Sequence, residues 1–107
     1  MGLERVAAVV KALQQAGIPA DRGFPAKKMP YLPQSVAAVH LEQMQGNAEI
    51  VAVWIYTPMR LGGAACEETA LQAGAAVAGM GGKYQASNCQ FDAQMGLFAI
   101  KMVATFG

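Results

Sequence analysis

Charge is scarce in this chain. Only 14% of the residues are Asp, Glu, Lys or Arg, and the formal net charge is +1. Electrostatic capture of nucleic acid needs clustered Lys and Arg, so no direct nucleic-acid specificity is expected. Long hydrophobic runs are also missing. No stretch approaches the roughly 20 apolar residues that span a bilayer, so no membrane association is expected. The residues that follow Met1 enter an amphipathic pattern directly, without the apolar core of a signal peptide. Cys66 and Cys89 are too few and too far apart for a disulfide framework or a zinc site. The cytoplasm, with both thiols reduced, is the default compartment.

What abounds is small and apolar. The hydrophobic fraction is 54%, and Ala and Gly supply much of the excess. That composition signals close packing and buried contact rather than a greasy exterior. With 107 residues the chain is read as one domain, 1–107, with a modest core.

The most informative stretch runs from Glu49 to Pro58. Val51, Val53 and Ile55 fall on one face of a strand, and Ile50, Trp54 and Tyr56 on the other. A half-solvated strand would alternate apolar with polar residues, so this one predicts a central strand covered on both sides. In so short a chain, helices can supply one cover. The second cover is expected from another subunit.

Around it the other elements can be placed. Leu3, Val6, Val10 and Leu13, with Ala7 beside them, predict a helix over 3–16, closed by Gly17, Ile18 and Pro19. Residues 19–35 carry Pro19, Pro25, Pro30 and Pro33. They read as an extended arm, excluded from helix and from any central strand. This arm either rests on its own domain or reaches a neighbour. Residues 35–45 form a strand that pairs with the central one through the turn Gln45–Ala48. An Ala- and Gly-rich helix covers about 64–79, with Glu67 and Glu68 in its first turn. Gly81 and Gly82 end it, and strands over 84–91 and 97–106 close a second hairpin. The expected fold is α+β, in the order α-β-β-α-β-β. It has a four-stranded, mainly antiparallel sheet with two helices on one face.

Reactive constellations are thin. Cys66 lies near a helix start, where a dipole lowers a thiol pKa, but Glu67 and Glu68 oppose a thiolate. A structural cysteine is the better reading, and Cys89 reads as a small core residue. His40 and Glu42 share a strand face but lack the further ligands that a metal needs. The glycines at 79–82 follow a helix, whereas a phosphate loop precedes one. No catalytic residue, metal or cofactor is therefore expected. The candidate contact residues are Arg22, Lys27, Lys28, Tyr31, Trp54, Tyr56 and Arg60. The basic ones serve either solubility or pairing with acidic groups of a neighbour.

The order of elements, the crossing that ends Pro30-Tyr31-Leu32-Pro33, the strand around Trp54, the helix bearing Cys66-Glu67-Glu68 and the closing hairpin Cys89–Phe98 together resemble small neck and tail proteins of long-tailed phages and prophages. The tail-terminator or tail-completion group is the nearest. The resemblance implies an α+β subunit without an active site, assembling as a homo-oligomeric ring that terminates the tail or joins it to the head. Other phage tail or neck proteins would be its partners, in the virion or in the host cytoplasm during assembly. The competing expectation is a cytoplasmic dimer that binds a small ligand or peptide in a groove lined by Trp54 and Tyr56. A thiol enzyme using Cys66 with His40 comes third.

Overall fold

The computed structural model describes residues 2–23 and 31–107. Its elements are α1 (Gly2–Gln15), β1 (Ala20–Asp21), β2 (Val36–Gln45), β3 (Ala48–Pro58), a 3-10 turn (Met59–Leu61), α2 (Gly63–Gly79), β4 (Lys83–Ala86), β5 (Gln90–Asp92) and β6 (Leu97–Phe106). The strands lie in the order β1-β2-β3-β6-β4, with β5 also on β6. Among the described residues only the β1–β2 pair is parallel.

The class is α+β, but among the described residues the sheet has six strands rather than the expected four. Two local causes account for the difference. Ala20 and Asp21 add a short parallel edge to β2, opposite Ala37 and Ala38. Proline permits this position because an edge strand leaves one row of backbone groups unused. The strand expected over 84–91 is also broken. Ala86 faces Met102 whereas Gln90 faces Ala99, so the junction holds one more residue than the β6 segment opposite. An extra residue reverses the inside–outside alternation and interrupts the ladder. Ser87 bridges the gap: its N–H donates to Lys101 O (2.9 Å), and its hydroxyl accepts from Lys101 N (3.0 Å).

β3 is the central strand, paired along its length with β2 and β6. The β2–β3 turn has Gly46 at φ +60° as its first central residue, the arrangement a II′ hairpin requires. One face of the sheet packs Val39, Val51, Val53, Ile55, Ile100 and Met102 against both helices. Each fully buried Val, Leu or Ile contributes about 1.5–3 kcal/mol. Helix α1 turns Val6, Val9 and Leu13 inward and leaves Leu3 and Ala7 exposed, so its inner stripe is rotated from the one expected. Its end is as expected. Gly17 has φ +86° and donates to Gln14 O, while Ile18 donates to Leu13 O and is itself buried.

Helix α2 begins at Gly63 and has no acidic residue in its first turn. Glu67 and Glu68 therefore stand in the second turn, beyond the strongest reach of the dipole. The small residues of α2 serve close approach. A Cβ at Gly74 would lie 2.4 Å from the Tyr84 ring, and one at Gly82 would lie 2.7 Å from Phe106. Tyr84 of β4 thus packs directly on the α2 backbone at Gly74, and the Phe106 ring on the turn at Gly82 that follows the helix.

Candidate interaction face

The sheet face away from the helices is built by the second set of alternating residues on β2, β3 and β6. Val36, Leu97 and Ala99 are buried there, with Leu32, Trp54 and Tyr56 packed against them. Part of the cover thus comes from the end of the proline-rich segment, where the Arg60 guanidinium donates to Leu32 O. Trp54 and Tyr56 remain half-buried. Their positions, two residues apart on β3, bring the rings parallel within 4°, with centroids 5.9 Å apart.

Strand register places Lys101 of β6 directly beside Trp54. Its ammonium stands 5.5 Å from the Trp54 ring centroid and 3.0 Å from Glu42 Oε2. Glu42 is the extra residue of a bulge, since Leu41 pairs with Val51 and Gln43 with Ile50. His40 Nε2 lies 3.8 Å from the other Glu42 oxygen. The hydrogen bond from Lys101 holds the Glu42 carboxyl below its ordinary range against the opposing effect of desolvation, with a smaller contribution from His40. Burial pushes the Tyr56 phenol upward.

Beside the aromatic pair lies an open groove of about 640 Å³, lined by Trp54, Tyr56, Phe91, Asp92, Met95 and Leu97 among others. Its rim is an ordered turn. Asp92 Oδ1 accepts from the N–H groups of Gln94 (3.0 Å) and Met95 (3.1 Å), and Gly96 donates to Asp92 O. Met59 donates to Gly96 O, which brings a further exposed apolar side chain to the same end.

The predicted contact residues divide. Trp54 and Tyr56 come together at the centre of this face. Arg60 is committed within the chain to Leu32, and Arg22 donates to Leu3 O (3.4 Å). Tyr31 is 83% exposed. Lys27 and Lys28, with the rest of the arm's middle stretch 24–30, lie outside the described residues.

Cys66 and His40 are not brought together. Cys66 is buried in the helix-side core, whereas His40 is exposed on the other side of the sheet. Burial pushes the Cys66 thiol up to about 11, the opposite of what a nucleophile needs. Among the described residues no group of three or more His, Cys, Asp or Glu is placed to hold a metal, and no helix is long and apolar enough to cross a membrane. Sequence reasoning missed Lys101, Ser87 and the Arg5–Glu49 ion pair (3.0 Å). The first two depend on strand register and the third on how α1 docks against β3, neither of which local sequence reveals.

No family model, curated protein or solved structure matches the chain. Functional reading therefore rests on the face itself.

Proposed function

We propose that this chain is a structural assembly subunit of a phage or prophage tail or neck, and that copies of it close into a ring that terminates the tail or joins it to the head. The observation that carries the assembly reading is the half-buried Trp54–Tyr56 pair on a sheet whose opposite face is roofed by both helices. Aromatic anchors beside a groove, with the Lys101–Glu42 pair next to Trp54 and Asp92 in the groove wall, have the make-up of an interface centre with a polar edge. The phage assignment is supported by the resemblance of the element order and closing hairpin as read in the sequence.

The test is native mass spectrometry of the purified chain, alone and with tail tubes. The reading expects closed rings in at least one condition, lost in Trp54→Arg while far-UV circular dichroism stays unchanged. Monomers in both conditions, or rings indifferent to Trp54→Arg, would refute it. The groove favours one second reading, a dimeric module for a small ligand or peptide, because its volume falls within the range of about 300–1,000 Å³ typical of ligand pockets. A dimer that retains a small molecule in the same spectra would select that reading.

A further inference from the structure

Cys66 and Cys89 are distant in the chain and neighbours in the fold. Gly63 and Cys66, three residues apart on α2, share one helical face. A Cβ built on Gly63 would lie 3.7 Å from Cys89 Sγ, which places the second thiol against that same face. Cys66 belongs to the main core cluster, and Cys89 packs against that cluster. The Cys66 thiol donates to Ile55 O (3.9 Å), and the neighbouring Cys89 thiol adds to the upward push that burial gives it. Their exposure differs: Cys66 is buried and Cys89 is partly open to solvent. Read singly, each is a small apolar residue. Together they are a dithiol with one accessible end.

We propose that Cys66 and Cys89 form an intramolecular redox pair which a peroxide converts to a disulfide, tying the β4–β5 junction to the first turns of α2. The accessible Cys89 reacts first. Its thiolate attacks one peroxide oxygen, the O–O bond breaks, and the departing hydroxide takes a proton to leave as water, with Cys89 oxidised to the sulfenic acid. The Cys66 sulfur then attacks the Cys89 sulfur and expels hydroxide, which leaves as water with the proton released by Cys66. Two thiols and one hydrogen peroxide thus become one disulfide and two waters. Burial shields Cys66 from peroxide, so Cys89 is oxidised first; burial also disfavours the Cys66 thiolate, so resolution is slow near neutral pH and quickens as pH rises. Proximity sets the outcome, because the resolving sulfur is already beside its target. The bond would cross the junction where the β4–β5 ladder is interrupted.

The experiment treats the full chain with hydrogen peroxide at near-neutral pH, denatures it, alkylates the remaining thiols and reads intact and peptide masses. The expected product is a single chain lighter by two hydrogens, with neither cysteine alkylated and the Cys66 and Cys89 peptides joined. In Cys66→Ser the Cys89 sulfenic acid should persist and be captured by dimedone; should that variant fail to fold, the wild-type masses alone decide. Cys89 carried to sulfinic acid with Cys66 still alkylatable would overturn the proposal. A covalent dimer through Cys89 would do the same.

Discussion

Replacing Gly74 by alanine sets two measurable effects against each other. In a helix interior, Gly→Ala gains about 1 kcal/mol from backbone entropy and propensity. Here the new Cβ would fall 2.4 Å from Tyr84 Cζ and Oη and 2.8 Å from Cε2, so the ring must leave. Tyr84 is on the edge strand β4 and 38% exposed, so it can swing outward, at the cost of its packing on α2. Overfilling a packed site of this kind costs about 1–3 kcal/mol. The net expectation is a loss of about 1 kcal/mol, or about 4–8 °C in Tm for a domain of this size. Removing the ring should invert the sign: in a Tyr84→Ala background, Gly74→Ala should stabilise by about 1 kcal/mol. Urea unfolding of the four proteins, followed by circular dichroism, gives both values. If Gly74→Ala has the same effect in both backgrounds, α2 does not owe its smoothness to the Tyr84 contact.

Two further perturbations probe the core. Ser35 Oγ and Thr57 Oγ1 share a buried hydrogen bond of 2.6 Å; Thr57→Val leaves the Ser35 hydroxyl unpaired and should cost about 1–3 kcal/mol, much of it recovered on adding Ser35→Ala, as read by urea unfolding. The Cys66 thiol titrates at about 11 in the fold against an ordinary 9.0, so the unfolded chain gives up its proton first as pH rises. Its contribution is intact below pH 9.0 and lost as pH climbs towards 11. A Tm-versus-pH series should therefore fall more steeply for wild type than for Cys66→Ala across that window, and parallel curves would contradict the assignment.

How much of this was legible in the sequence depended on whether the signal was local. β3 was plain because Val51, Val53 and Ile55 face one way and Trp54 and Tyr56 the other, a pattern that only a central strand satisfies. The end of α1 was equally plain, since Gly17, Ile18 and Pro19 encode the stop chemically. The inward stripe of α1 was harder: both Leu3 and Val9 fit an amphipathic pattern, and the docking angle selects Val9. Both strand irregularities were invisible. Residues 41–43 and 86–90 alternate smoothly as text, and their extra residues exist only relative to the partner strands. The candidate face inherits that limit. Trp54 and Tyr56 could be nominated, but Lys101 reaches Trp54 through register and Glu42 reaches Lys101 through a bulge.

The most direct measurement uses Trp54 itself, the single tryptophan of the chain. Its fluorescence emission should be followed across a dilution series in parallel with light scattering. Burial of this face between copies predicts that emission shifts to longer wavelength as the scattering mass falls to that of one chain. A scattering mass that falls to one chain while the emission stays fixed would place Trp54 outside the contact and contradict the account.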